Sequence, residues 1–300
     1  MERYSVHLKL LGMAVLWGAS WPMGRMLGQS LPPLTGGAVR FVLASFLLLG
    51  WLFARSRFAT FAALSARQWL GLTVAASVGV CGYAVFFMLG LQAMPAGKAA
   101  VVVAVNPVLT LLLAAWLFGE RLNAKILAGM LLAVCGAITA VTQGQPLAVL
   151  SGGIKVGEWL IFGCVVCWAA YTLIGRAVLR GIDALTVTAA TSFIGALMLS
   201  VVALWTDGLP FEAMAAMDAR GWTALAWLVI GATVLAYAWY FEGVKILGAG
   251  SAAAYITLVP IFGMLSSAWV LGEPLHISLV AGCAAAVGGM TLMRYGQKVV

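Results

Sequence analysis

Long apolar runs, separated by short polar breaks, set the pattern of this chain. A helix needs about 20 mostly apolar residues to cross a bilayer. Ten such stretches can be marked, at 8–27, 34–54, 69–91, 97–118, 124–142, 156–178, 184–205, 221–243, 249–271 and 277–295. Between them fall turn-forming and charged residues: Pro32-Pro33, Arg55 to Arg57, Pro95, Glu120-Arg121, Gln143 to Pro146, Arg180-Gly181, Asp207 to Pro210, Gly248, and Gly272 to Pro274. Most breaks are short, so consecutive helices are expected to be antiparallel neighbours. The pattern predicts an all-α membrane protein with ten transmembrane helices. The first stretch follows Arg3 and Lys9, as a signal peptide would. Trp21-Pro22 stands where a small-residue cleavage site belongs, so this stretch reads as a retained helix.

Composition strengthens the membrane reading. Of 300 residues, 64% are apolar and 9% charged, against about 25% charged in soluble proteins. So few charges cannot cover a water-facing surface, and lipid is the expected partner of most of it. The net charge of +8 would suggest nucleic acid in a soluble chain, but its distribution argues otherwise. With the N-terminus in the cytoplasm, twelve of the 17 Lys and Arg fall inside, four outside, and Arg40 within the second helix. That bias predicts cytoplasmic N- and C-termini in an inner (plasma) membrane and no nucleic-acid partner. The five cysteines lie in apolar runs and show no metal-ligand spacing. No nucleotide-binding loop, metalloprotease motif or deep carboxylate pair occurs, so neither cofactor nor metal is expected, and enzymatic and ATP-driven functions are disfavoured.

An internal repeat gives the first functional clue. Trp17-Gly-Ala-Ser-Trp-Pro-Met-Gly24-Arg25 aligns with Trp168-Ala-Ala-Tyr-Thr-Leu-Ile-Gly175-Arg176 at an offset of 151 residues. Gly90, Gly97, Pro107 and Gly119-Glu120 match Gly243, Gly250, Pro260 and Gly272-Glu273 at an offset of 153. The chain therefore divides into 1–146 and 147–300, joined at Gln143 to Pro146. Five crossings per half force the second half to enter from the opposite face. Inverted repeats are the architecture of alternating-access carriers, whose substrate site lies near the midplane between the halves.

The same residues carry a resemblance. Trp17-Gly-Ala-Ser-Trp-Pro, the run from Ala99 through Asn106-Pro107 to Gly119-Glu120-Arg121-Leu122, and its echo from Ser251 through Pro260 to Gly272-Glu273-Pro274-Leu275 resemble the drug/metabolite transporter superfamily. More narrowly, they are similar to its ten-helix EamA-type exporters and, within these, to YddG-like amino-acid exporters. The resemblance implies helices 1–4 and 6–9 around a central cavity, with helices 5 and 10 outside. Small multidrug relatives in that superfamily use an acidic residue in the first helix. Positions 12–24 here contain none, which disfavours a proton exchanger built on that carboxylate.

Candidate substrate contacts follow from helical spacing. Trp17, Ser20, Trp21 and Gly24 share one face of the first helix, and Trp168, Tyr171, Thr172 and Gly175 share one face of the sixth. A stripe mixing aromatics, hydroxyls and glycine suits a cavity, although tight helix packing through small residues would use the same pattern. Tyr83, Phe86, Phe87 and Gly90 on the third helix, and Tyr237, Trp239, Tyr240 and Gly243 on the eighth, present the same alternatives. Pro107 and Pro260, repeat mates at midspan, would free the carbonyls of Val103 and Ile256. With Asn106, Tyr255 and Thr257, those carbonyls could receive a substrate ammonium or act as hinges; a static kink is the plain alternative. Arg40 is the candidate partner for a substrate carboxylate, against simple snorkelling. Glu242 with Lys245, and Lys98 at the opposite side, stand as gate or solvated-end residues, while Glu120 and Glu273 are assigned to turns. Trp51, Trp69, Trp116, Trp159, Trp205, Trp222 and Trp269 lie at predicted helix ends and read as interfacial anchors. Gly129, Gly136, Gly282, Gly288 and Gly289 permit a helix-packed homodimer. The expected activity is secondary export of small metabolites, foremost aromatic or neutral amino acids, through a central cavity; efflux of lipophilic drugs is the alternative.

Overall fold

The computed structural model describes residues 2–55, 61–119, 122–145, 154–178, 181–247, 252 and 254–297. Among the described residues, helix is the only regular structure. The long helical runs are α1 (Glu2–Ser30), α2 (Pro33–Ala54), α3 (Ala66–Ala93), α4 (Ala96–Phe118), α5 (Ala124–Val141), α6 (Val156–Val178), α7 (Ala184–Thr206), α8 (219–247), α9 (Tyr255–Leu271) and α10 (Ile277–Gln297). A short helix, Phe211–Ala215, lies between α7 and α8. Eight of the long runs are apolar and long enough to cross a membrane, and α9 is a shorter apolar helix. The remaining run, α1, has 29 residues and continues through Pro22. The proposed join between halves, Pro146 and the residues after it, lies outside the described residues, as do Arg57, Glu120, Arg121, Arg180, Gly248, Gly250, Ser251 and Lys298.

Local chemistry explains the irregular turns. A proline within a helix removes the donor for the carbonyl four residues earlier. Ahead of Pro107 and Pro260 the chain tightens into 3-10 turns, Val103–Val105 and Tyr255–Leu258. The Asn106 amide then donates to the Val103 carbonyl, and the Val259 amide to the Ile256 carbonyl. The shorter turn thus brings one new donor to each carbonyl that the proline leaves free. π-helical segments interrupt α3 at Ser77–Gly82 and α8 at Trp227–Leu235. Gly119 and Gly272 end α4 and α9 with φ of 68° and 66°, a left-handed conformation that a residue with a Cβ resists.

Helix pairs pack through glycine. Along α5 and α10 the contacts run antiparallel: a Cβ at Gly129 would stand 2.6 Å from the Gly289 carbonyl, and one at Gly136 would stand 2.5 Å from that of Gly282. Gly288 faces Leu132. The small residues that permit a dimer are thus occupied within one chain, where they let two backbones touch. α2 and α7 are antiparallel as well, with Gly37 against Leu199 and the Thr35 amide and hydroxyl each donating to Asp207 Oδ2 at 3.0 Å.

Two further pairs repeat each other. Gly12 of α1 abuts Trp239 of α8, and Gly163 of α6 abuts Phe86 of α3; likewise Gly243 abuts Leu10, and Gly90 abuts Ile161. The members of each match are separated by the offsets found in the sequence. At the anchoring positions, Trp116, Trp159, Trp205, Trp222 and Trp269 are exposed, as an aromatic belt requires. Trp51 and Trp69 are half-buried, and Trp69 meets Phe61 edge-on at 5.1 Å.

Candidate functional site

Arg40 begins the site. It lies seven residues beyond Pro33 on α2, about 10 Å along the helix from that end at ~1.5 Å per residue. Its Nε is buried without a hydrogen-bond partner, and no ion pair reaches it among the described residues. The guanidinium carbon lies 5.0 Å from the Phe41 ring centre and 5.9 Å from that of Phe87. Its charge interacts with the phenols of Tyr83 on α3 and Tyr237 on α8. Tyr237 in turn interacts with Tyr171 on α6. Four helices thus bring one cation and three phenols together.

Aromatic contacts extend this cluster. Trp21 meets Phe87 at 5.1 Å, Phe87 stacks on Tyr83 at 5.9 Å, Tyr83 meets Trp168 at 5.9 Å, and Trp168 meets Tyr171 at 5.8 Å. Trp17 meets Tyr237 at 5.4 Å and Tyr240 at 5.7 Å. These contacts join α1, α3, α6 and α8, yet Trp17, Tyr83, Trp168, Tyr171, Tyr237 and Tyr240 all remain half-exposed. The polar tips are satisfied in ways that sequence spacing does not reveal. Trp17 Nε1 donates to the Ala232 carbonyl at 2.9 Å, inside the π segment of α8. Tyr171 shares a 3.5 Å hydroxyl contact with Thr191.

The remaining candidates make contacts of their own. Ser20 is buried, and its hydroxyl donates to the Leu16 carbonyl at 2.9 Å. Asn106 is buried too, its Oδ1 accepting from the Thr110 hydroxyl at 3.1 Å. Thr172 is exposed and its hydroxyl bonds back to the Trp168 carbonyl at 2.8 Å. The Trp239 ring fills the gap at Gly12, so it serves helix packing. Tyr255 meets His7 Nδ1 at 2.6 Å and packs in one cluster with Trp17 and Tyr240. Pro107 and Pro260 follow the 3-10 turns described above.

Ion pairs tie the helix ends. At one end, Arg25 Nη1 reaches Glu273 Oε1 at 3.2 Å and the Met94 carbonyl at 2.9 Å. Glu273 also accepts from the amides of Ala96 and Gly97 at 2.8 and 2.9 Å. It is an N-terminal anion for α4 and joins α1, α4 and α9, which is more than the turn role that sequence alone assigns. Lys98 pairs with Glu158 at 3.2 Å. At the other end, Glu242 pairs with Lys9 at 2.7 Å; the Lys245 side chain lies outside the described residues. Glu158, Phe41 and Thr191 were not singled out by spacing. Thr191 had a signal, since α7 buries Thr186, Thr188, Thr191 and Ser192 together.

Comparison with known proteins gives a consistent picture. The EamA-like transporter family matches twice, over residues 5–142 and 155–295. The transporter YyaM of Bacillus subtilis is 27% identical, over 97% of this chain and 93% of its own. The protein named "Probable amino-acid metabolite efflux pump" in Salmonella typhimurium is 27% identical, over 100% of this chain and 97% of its own. A solved crystal structure shares the fold, with a TM-score of 0.65 and 22% identity over 96% of each chain. Eight membrane-length apolar helices and two matches covering most of the sequence lead to one conclusion: this chain is a multi-pass membrane protein belonging to the EamA-like transporter family.

Proposed function

We propose that this protein is a secondary exporter of small carboxylate-bearing metabolites, with amino acids as the leading class. In this reading, 1–146 and 147–300 are two inverted five-helix units with ten crossings in all. Both termini face the cytoplasm across the inner membrane, and the units alternate access around the Arg40 cluster. The observation that carries the proposal is the Arg40 guanidinium, buried at Nε, unpartnered and bordered by the aromatic rings of Phe41 and Phe87. An unpaired buried charge is costly, and a bound carboxylate would supply the missing charge-assisted bonds. The half-exposed aromatics from α1, α3, α6 and α8 would hold the apolar part of such a molecule. Two relatives named as amino-acid metabolite efflux pumps support the class, at 27% and 25% identity.

Reconstituted protein in lipid vesicles provides the test. Carboxylate-bearing metabolites, screened as labelled amino acids and their deaminated analogues, should exchange across the membrane, and Arg40→Gln should cut that exchange by about 30-fold or more while leaving the detergent-solubilised protein monodisperse. Flux of lipophilic cations alone, unaffected by Arg40→Gln, would replace this reading with drug efflux.

A further inference from the structure

The offsets that relate the two halves hold for contacts as well as for residues. Adding 151 on α1 and subtracting 153 on α8 turns the Gly12–Trp239 and Leu10–Gly243 contacts into Gly163–Phe86 and Ile161–Gly90, all of which are present. One contact at the cluster lacks its counterpart. Phe87 of α3 packs on Gly24 of α1, 2.6 Å from where a Cβ would stand, and meets the buried Trp21 at 5.1 Å. The same offsets convert Phe87 to Tyr240 and Gly24 to Gly175. Tyr240 is not at Gly175, where nothing lies within 4 Å of a Cβ; its ring meets Trp17 at 5.7 Å. Thr172, the counterpart of Trp21, is exposed. A glycine weakens a helix relative to alanine, and no close neighbour or left-handed φ calls for one at position 175. Its missing side chain serves an arrangement other than this one.

From this we infer that Tyr240 is a gate: its ring moves from Trp17 onto Gly175 and closes the cytoplasmic approach to the Arg40 cluster, as Phe87 on Gly24 closes the opposite approach here. The inference rests on the proposed alternating access and names the side chain that performs it. In a carrier built of inverted halves, each half takes up in one state the arrangement that its mate holds in the other. The contact present in the first half therefore supplies the geometry still to be made in the second. As Tyr240 reaches Gly175, Phe87 leaves Gly24 and takes the place on Trp168 that Tyr240 now holds on Trp17. Tyr83, one turn before Phe87, already meets Trp168 at 5.9 Å, so α3 borders that place. The end that is shut in this state is also fastened, since Arg25, next to Gly24, is tied to Glu273 at 3.2 Å.

The test places a wedge in the open space. Full-length protein carrying Gly175→Leu is reconstituted in vesicles, and exchange of labelled L-phenylalanine and of ethidium is measured beside the unmodified chain. Exchange should fall by about tenfold or more, because the leucine overpacks the closed gate. The thermal midpoint in detergent should stay level or rise, since the space around position 175 is open in this state. In a Tyr240→Ala background the same wedge should lower exchange by less than about threefold, because the ring that it obstructs is gone. That coupling, read on ethidium with phenylalanine not carried, would keep the gate and overturn the amino-acid reading of the site. Equal losses in the two backgrounds, or a wedge without effect, would overturn the gate and leave the carrier reading standing. Transport of neither compound would overturn both.

Discussion

Gly24 on α1 and Gly175 on α6 occupy matching places in the two aligned segments, yet their surroundings differ. A Cβ on Gly24 would stand 2.6 Å from the Phe87 ring and 2.8 Å from Leu91, whereas nothing lies within 4 Å of one on Gly175. The neighbouring pair behaves alike: Trp21 is 4% exposed, and Thr172, its counterpart, is exposed. Polar contacts repeat the contrast. Beyond Gly24, Arg25 joins Glu273 and the amides that open α4. Trp17 is fixed by a hydrogen bond to Ala232, while Trp168 makes its contacts through ring faces, to Tyr83 and Tyr171. Similar sequences in unequal packing are what a two-state carrier needs, because each state must seal one approach to the site and open the other.

The largest loss of stability is expected at the α5–α10 contact, where two backbones touch. Gly136→Leu would drive a side chain into the Gly282 carbonyl and the Ala286 amide, 2.5 and 2.6 Å from the new Cβ. A loss of about 3 kcal/mol is expected from overpacking against backbone, read as a lowered thermal midpoint in detergent. Next comes the site itself. Arg40→Gln should reduce flux by about 30-fold or more, the effect of losing a desolvated charge pair worth about 2–5 kcal/mol. Its thermal midpoint should hold or rise, since the replacement removes a charge that is unpartnered at Nε in the empty protein.

The glycines sharpen the comparison directly. Gly24→Ala should cost about 1–2 kcal/mol, because Phe87 and Leu91 must shift. Gly175→Ala should be neutral or stabilising by up to ~1 kcal/mol, since open space leaves only the gain in helix propensity. Equal costs at the two positions would remove the asymmetry. A comparably small effect is expected from Trp17→Phe, which keeps the ring contacts and loses one hydrogen bond. About 1 kcal/mol of stability should disappear.

Much of this was legible from residue spacing. The runs of apolar residues mark the helices, and the repeat-mate glycines Gly90 and Gly243 stand at close helix contacts, to Ile161 and Leu10, whereas Gly175, the mate of Gly24, faces open space. Arg40 stands out in sequence because a charge in an apolar run demands a partner or a purpose. Stripes shared by a helix face were less decisive. The stripe on α6 contains both Trp168, turned toward Tyr83, and Thr172, which is exposed, because a helical stripe gives direction without depth. Trp239 and Tyr237 are two residues apart and part company for the same reason: one fills the gap at Gly12 and the other meets Trp17 edge-on. The π segment that leaves Ala232 open to Trp17, and the reach of Glu273 across to α1 and α4, depend on tertiary contacts that no local pattern encodes.

An alternating-access carrier opens the Arg40 cluster to one side of the membrane at a time. A cysteine-free variant carrying Gly24→Cys or Gly175→Cys, treated with a membrane-impermeant maleimide from each side, measures that access. Position 175 should label from the cytoplasmic face while position 24 is protected, and Glu273→Gln should raise labelling at 24 as labelling at 175 falls. Simultaneous labelling of both positions, or labelling of either that Glu273→Gln leaves unchanged, would contradict it.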